Sequence, residues 1–323
     1  MSTRIKVGII GAAGYTGGEM IRLLLNHPMI DLIMVQSRSQ DGKRVCDVHH
    51  DLLGESELTF VANLNQDVDV LFLCLSHGES KKYLEENDLP TTTRIIDLGN
   101  DFRLGDKIND RSFVYGLPEF QRNKIRQAKN IANPGCFATA IQLGLLPLVS
   151  ENLLEDVHTV GITGSTGAGQ KLQETSHFSW RANNISAYKT LTHQHMGEIN
   201  RTLQALGFEK AIHFVPWRGD FTRGIFVSSI TSVAKSLNEV INLYKNYYQS
   251  HPFVHISSSM IDLKQVVNTN KCLIYLEMEN QKLVIHSAID NLLKGACGQA
   301  VQNMNLMLGW EETMGLKLKS IAF

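Results

Sequence analysis

Cys136 lies in the segment Asn133-Pro134-Gly135-Cys136-Phe137-Ala138-Thr139-Ala140, at the head of an apolar stretch that reads as a helix from Ala138 to Val149. Unpaired amides and the macrodipole at such a helix start favour a thiolate, and the same amides can hold an oxyanion beside it. That placement makes Cys136 the candidate nucleophile. Cys46, Cys74, Cys272 and Cys297 fall in settings where cysteine serves as a small buried hydrophobe. A nucleophilic thiol needs a group that takes its proton and later protonates an oxygen. Thr192-His193-Gln194-His195-Met196-Gly197-Glu198 offers His193 and His195, one to meet the sulfur, while the other or Glu198 orients substrate or base. An HxH pair on a strand also suits a metal. No further cysteine or histidine stands at a convincing spacing, so no metal is expected.

The second chemical signal is Gly8-Ile9-Ile10-Gly11-Ala12-Ala13-Gly14-Tyr15-Thr16-Gly17, which follows a strand and opens a helix. Small residues there let the backbone turn tightly and present amides to a pyrophosphate, so Gly11, Gly14, Tyr15, Thr16 and Gly17 are expected to hold a dinucleotide. The next strand ends Val35-Gln36-Ser37-Arg38-Ser39, without the acidic residue that binds both ribose hydroxyls of NAD. Ser37 and Arg38 suit a 2′-phosphate, and NADP(H) is the expected cofactor. A thiolate and a nicotinamide in one chain point to a definite route. Sulfur displaces phosphate from an acyl phosphate, and hydride then reduces the thioester to an aldehyde. The expected partners are therefore an acyl phosphate and inorganic phosphate. A cysteine hydrolase or acyltransferase with a merely structural glycine loop is the alternative from another class.

Weaker candidates surround these. Gly164-Ser165-Thr166-Gly167-Ala168-Gly169 closes a strand with an amide-rich loop, from which Ser165 is assigned to substrate and Gly167 and Gly169 to cofactor. Asn100-Asp101-Phe102-Arg103 follows a strand at the carboxyl edge of a sheet, where Asn100 and Arg103 could hold substrate and its departing phosphate. Arg218 and Arg223 are candidate carboxylate binders.

Elements that position these groups can be read from the pattern. Lys6–Gly11, Leu32–Val35, Val68–Cys74 and Arg94–Gly99 are short apolar runs alternating with turns and helical patterns, the signature of βαβ units and a parallel sheet. After Pro134 the pattern changes: Val157–Thr163, Ile225–Val233, Leu273–Glu279 and Lys282–Ile289 read as strands of a mixed or antiparallel sheet, with a packing helix at Leu237–Ser250. The fold class expected is α/β: a Rossmann dinucleotide-binding domain plus an α+β catalytic domain. With 323 residues, two domains are the natural division. A formal net charge of −1 with 20% charged residues gives no electrostatic case for nucleic acid or an anionic membrane, leaving small molecules as the expected partners. The five cysteines show no CxxC spacing, and no apolar run is long enough to span a bilayer, so a reducing cytoplasm is the expected location.

Taken together, the motifs resemble the N-acetyl-gamma-glutamyl-phosphate reductase family, relatives of aspartate-semialdehyde dehydrogenase. The markers are Gly11–Gly17, Asp101-Phe102-Arg103, Tyr115-Gly116-Leu117-Pro118-Glu119, Asn133–Cys136, His193-Gln194-His195 and Asp290–Ala300. The resemblance implies arginine biosynthesis, a Cys136 thioester, and a histidine acid/base that is His193 rather than His195. It also implies a semialdehyde dehydrogenase-like fold with residues 1–132 and 291–323 in the cofactor domain and 133–290 in a catalytic and dimerisation domain, assembled as a homodimer or homotetramer. On this layout Asn291, Gly295 and Gln299 face the cofactor, on a helix running from Asn291 to Met307. Aminoadipyl or aspartyl phosphate remains an alternative substrate on the same scaffold. Three positions depart from the family pattern: Ser76-His77-Gly78 and Gly197 where proline is usual, and Trp217 where relatives often carry histidine. Acetyl is the family's usual N-acyl group, and succinyl would require one added cationic contact.

Overall fold

A computed structural model describes residues 4–64 and 67–322 of the chain. It divides into two compact units, one of residues up to Pro134 with Ala296–Lys317, the other of Gly135–Gly295 with the residues from Leu318 onward.

The first unit runs β1 (Ile5–Ile10), α1 (Tyr15–Leu25), β2 (Ile30–Gln36), β3 (Phe60–Val61), β4 (Val70–Leu73), α2 (Glu79–Glu86), β5 (Arg94–Asp97), the hairpin β6 (Lys107–Ile108) and β7 (Arg111–Ser112), β8 (Val114–Tyr115), α3 (Pro118–Gln127) and β9 (Asn130–Ala132). A parallel sheet takes the order β3-β2-β1-β4-β5-β9-β8. Val70, Leu71, Phe72 and Leu73 are all fully buried, as a parallel strand covered on both faces requires. Chain order reverses on either side of β1, whose neighbours are β2 and β4. Such a switch point opens a crevice at the carboxyl ends of the strands, where the glycine loop leaves β1. Helix Cys297–Met307 completes this unit and is buried along its whole length. Two of its polar side chains find partners in this unit: Asn305 pairs with the His27 ring at 3.0 Å, and Gln302 donates to Glu312 at 3.0 Å.

In the second unit the order is α4 (Cys136–Ser150), β10 (Val157–Thr163), α5 (Phe178–Arg181), β11 (Ser186–Ala187), α6 (His195–Gln204), β12 (Ile212–Arg218), β13 (Ile225–Ser232), α7 (Leu237–Tyr248), β14 (Val254–Ile256), β15 (Cys272–Glu279) and β16 (Lys282–Ile289). The sheet is mixed, in the order β11-β12-β10-β13-β16-β15-β14. Its strands alternate buried and exposed residues, as in β10, where Val157 is buried and His158 is exposed, so one face packs inward. Helix α4 lies in that core. Pro147 removes the donor that would have met the Leu143 carbonyl, and the Tyr248 hydroxyl donates to that carbonyl instead, at 2.5 Å. The Tyr244 hydroxyl likewise donates to the Gly144 carbonyl at 2.6 Å, tying α7 to the helix that carries Cys136.

Two expectations shift. The helix expected over 291–307 begins only at Cys297, because the Asp290 carboxylate accepts the amides of Leu292 and Leu293 and folds that stretch into a turn. The boundaries expected at 132/133 and 290/291 fall at 134/135 and 295/296, and the chain from Leu318 belongs to the second unit. Asn291 explains the later boundary: its side chain accepts the Gly224 amide at 2.7 Å and donates to the Thr166 hydroxyl at 3.0 Å, both in the second unit.

Candidate active site

The loop between β1 and α1 in the first unit is shaped by glycine where packing demands it. Gly11 has φ +77°, and a Cβ there would meet the Cys74 carbonyl oxygen at 2.5 Å. Gly14 differs: a Cβ would meet only the Gly11 oxygen, at 4.0 Å, so space lies open before the first turn of α1. Gly14 gives α1 no side-chain cap, the first turn carries no acidic residue, and its leading amides suit an anion. At the end of β2, Ser37 is buried with its hydroxyl 3.3 Å from that of Ser39, while Arg38 is exposed and joins no ion pair among the described residues. This donor set fits a pyrophosphate on the loop with an additional phosphate at Ser37 and Arg38. Thr16 and Tyr15 begin α1, and Tyr15 is 41% exposed.

Arg103, in the same unit, is nearly buried and donates to the carbonyls of Asn133 at 2.8 Å and Leu98 at 2.9 Å, joining the ends of β5 and β9. The Asn100 carbonyl accepts the Arg103 amide at 3.4 Å. Asn133, which opens the motif that ends at Cys136, is clamped further by the Ala296 carbonyl at 3.1 Å and the Asn303 amide at 3.0 Å. Gln299 is fully buried in the C-terminal helix.

The second unit assembles the thiol chemistry. Cys136 is the first residue of α4 and is partly exposed. The Gly135 amide before it donates to Glu198 at 3.0 Å, and Glu198 lies 4.0 Å from His195 Nε2. A Cβ on Gly135 would collide with the His195 ring and come within 2.7 Å of Glu198, so glycine lets that imidazole lie against the backbone just ahead of the sulfur. His193 is differently placed. Its Nδ1 accepts the His195 amide at 3.2 Å, and its ring is edged by Phe137, Tyr188 and Phe214 at 5.7, 5.7 and 5.6 Å. Burial, with the Lys189 and Arg218 charges adding, pushes His193 down to about 4. Burial raises the neighbouring Tyr188 hydroxyl to about 12, with the Cys136 sulfur adding to the shift.

The loop after β10 and the β12–β13 connection are stitched together: Ser165 N donates to the Phe221 carbonyl at 2.8 Å and Thr166 N to that of Thr222 at 3.1 Å. Arg223 pairs with fully buried Asp290 at 3.0 Å, and Asp290 also accepts the Asn268 amide at 2.7 Å. This brace ends at Gly295, where a Cβ would stand 2.7 Å from that of Cys136. Ser165, Arg223 and Asn291 are thus brought together behind the cysteine, whereas Gly167 and Gly169 lie exposed at the tip of the loop. Arg223 is consumed by Asp290 and Asn291 by Thr166 and Gly224. Sequence reading missed Tyr188 and Lys189, although an aromatic and a cation directly ahead of the HxH segment were a usable signal. Among the described residues no group of three or more histidine, cysteine or acidic side chains could hold a metal ion.

Comparison with known proteins agrees with this division. A family model described as semialdehyde dehydrogenase, NAD binding domain, matches residues 6–128, and one described as semialdehyde dehydrogenase, dimerisation domain, matches residues 136–291. An N-acetyl-gamma-glutamyl-phosphate reductase of Bacteroides thetaiotaomicron is 55% identical over 323 residues, covering 99% of this chain and 100% of its own. The chain belongs to the N-acetyl-gamma-glutamyl-phosphate reductase family. Another member, from Flavobacterium johnsoniae, is 52% identical over 99% of this chain and 100% of its own. The fold reaches further than the family: aspartate semialdehyde dehydrogenase II of Vibrio cholerae superposes with a TM-score of 0.73 at 16% identity, over 95% of this chain and 99% of that one. The Rossmann-type parallel sheet and the mixed catalytic sheet are those of the semialdehyde dehydrogenase fold.

Proposed function

We propose that the chain reduces an N-acyl-gamma-glutamyl phosphate to the corresponding semialdehyde in arginine biosynthesis, using NADPH and a Cys136 thioester. The observation that carries this reading is the arrangement at the head of α4, where Glu198 grips the Gly135 amide and lies beside His195. We assign the acid/base role to His195 rather than His193. The imidazole against Gly135 has a carboxylate within ion-pair reach to stabilise it when it takes a proton. His193, held near 4 with its Nδ1 occupied, stays neutral at physiological pH and serves to fix the His195 backbone.

In the forward direction His195 takes the thiol proton and the sulfur attacks the acyl carbon. Phosphate leaves with the electrons of the broken C–O bond, and Cys136 holds the acyl group as a thioester. Bound NADPH supplies the hydride. Gly11, Gly14, Tyr15, Thr16 and Gly17 would hold its pyrophosphate, and Ser37 and Arg38 its 2′-phosphate. His195 returns its proton to the sulfur as the thiohemiacetal oxyanion collapses, releasing the aldehyde and regenerating the thiol. The amides that open α4 stabilise the oxyanion at each tetrahedral stage. Arg223, Asp290 and Gly295 keep Cys136 in position.

The dimerisation-domain match supports a homo-oligomer, and we propose a dimer or tetramer built on the outward face of the mixed sheet, where Val160 and Ile230 are 49% and 43% exposed. The function is tested in reverse. The semialdehyde should reduce NADP⁺ only when inorganic phosphate or arsenate is present. Equal rates without either would instead favour an ordinary aldehyde dehydrogenase, and no NADP⁺ reduction under any of these conditions would favour a hydrolase or acyltransferase.

A further inference from the structure

Gly17 and Gly18 follow one another in the first turn of α1, where glycine is a poor helix former and two in succession call for a reason. Each has one. A Cβ on Gly17 would stand 2.3 Å from the Ala12 carbonyl oxygen, so that carbonyl lies against the helix backbone. A Cβ on Gly18 would stand 2.6 Å from His49 Nδ1 and 2.7 Å from its Cε1, so the imidazole occupies the room that the missing side chain leaves. The same ring reaches the glycine loop: His49 Nε2 lies 2.9 Å from the Ala12 carbonyl oxygen. A carbonyl only accepts, so Nε2 carries the hydrogen and donates it. The ring is 9% exposed, with the Phe60 ring 6.1 Å away. Its backbone is held as well, the His49 amide donating to the Val45 carbonyl at 2.8 Å and the His49 carbonyl accepting the Leu52 amide at 3.0 Å.

Both polar groups of Ala12 are thereby fixed. Its amide donates to the Gln36 carbonyl at 2.9 Å, and the Gly11 amide before it donates to Gln36 Oε1 at 3.3 Å. Gln36 is anchored in turn by its Nε2, which donates to the Ala62 carbonyl at 2.6 Å. The Ala12 carbonyl is the part that matters to an anion. Amides between β1 and α1 attract a pyrophosphate, and a carbonyl turned toward the same place would repel it. The His49 hydrogen satisfies this oxygen on the flank of α1 formed by Gly17 and Gly18, leaving the space at Gly14 to the amides. We propose that His49 is a positioning residue for NADPH: by holding the Ala12 carbonyl against α1 it presets the loop that receives the pyrophosphate. Gly18 is glycine so that the imidazole can lie close enough to do so.

Fluorescence titration of NADPH, without turnover, tests this. A glutamine side chain can carry an amide N–H to about the place of the imidazole Nε2, whereas asparagine is too short. His49→Asn should weaken NADPH binding about tenfold, the loss expected when a buried carbonyl gives up its hydrogen bond, while His49→Gln should stay within about threefold of wild type. At saturating NADPH both variants should keep kcat within about threefold, so that the loss falls on KM for NADPH. Gly18→Ala reads the same contact independently should His49→Asn fail to fold. Alanine is the better helix former, so α1 itself gains, yet the added methyl group displaces the ring and should weaken NADPH about tenfold. An unchanged NADPH dissociation constant in His49→Asn or in Gly18→Ala overturns the proposal. So does equal weakening in the asparagine and glutamine variants, because the volume of the ring rather than its hydrogen would then be what counts. Failure of the wild-type chain to bind NADPH would instead remove the cofactor assignment on which the proposal rests.

Discussion

Cys136 and Cys297 each begin a helix, one after Gly135 and the other after Ala296, yet the two thiols have little else in common. Cys297 is fully buried, and its sulfur donates to the Thr16 carbonyl at 3.2 Å, fastening the C-terminal helix to the start of α1. Cys136 is partly exposed and has His195, Glu198 and Tyr188 about it. A helix start therefore does not make a nucleophile by itself. Access and an acid/base neighbour do, and the macrodipole, worth roughly 0.3–1 kcal/mol near a surface, only biases the outcome.

The largest effect should separate the two cysteines. Cys136→Ser is expected to lower turnover by at least ~10³-fold while leaving NADPH affinity unchanged, since a serine hydroxyl lacks an accessible anion. Cys297→Ala should keep turnover within about threefold and cost ~1–2 kcal/mol of stability, as expected for a truncated buried side chain. Steady-state rates together with fluorescence titration of NADPH read both variants. Comparable loss of turnover in the two would erase the distinction.

Next in size is the choice between the imidazoles. His195→Asn should reduce kcat by ~10²–10⁴-fold and remove the basic-group limb from the pH profile of kcat/KM, as loss of a general acid/base does. His193→Asn should give a smaller loss and leave the shape of that profile unchanged, because His193 is already neutral well below pH 7. If the His193 variant alone lost the limb, the assignment of His195 would be reversed.

Much of the fold was legible in the sequence. The apolar runs at Val70–Leu73 and residues 95–97 and the alternating β10, β13, β15 and β16 match the strands that form. The glycine loop could be read because Gly11 and Gly17 are fixed by local sterics. Side-chain partners across long sequence separations left no trace. Asp290, which turns 291–296 away from helix by accepting the Leu292 and Leu293 amides, is itself held by Arg223 and Asn268, and nothing in the apolar spacing of that stretch reveals those two partners. The histidines were confusable for the same reason. Two imidazoles two residues apart look alike in sequence, and only the approach of Gly135 from one side and of Phe137, Tyr188 and Phe214 from the other sets them apart.

Cys74 extends the comparison to a thiol kept inert by its surroundings. Burial pushes it up to about 12, and the Asp97 charge adds to the shift. Asp97 is itself fully buried at the end of β5, with Oδ1 accepting from the Ser80 hydroxyl at 2.6 Å and the Gly99 amide at 3.0 Å, while Oδ2 has no hydrogen-bond partner among the described residues. Burial raises this carboxyl from 3.8 to about 6. Below pH 3.8 the group is neutral in both folded and unfolded chains and contributes no pH dependence. Between 3.8 and about 6 the unfolded chain gives up the proton that the folded chain retains, so stability falls as pH rises. Above that range the loss levels off at ~3 kcal/mol at most, from 1.36 kcal/mol per pKa unit. Asp97→Asn should therefore flatten the pH dependence of urea unfolding between about pH 4 and pH 7. The offset between variant and wild type at pH 4 measures the cost of the amide itself, and only the change from pH 4 to pH 7 measures the carboxyl. An unaltered slope in the variant would mean that Asp97 does not differ in protonation between the folded and unfolded chains across this range.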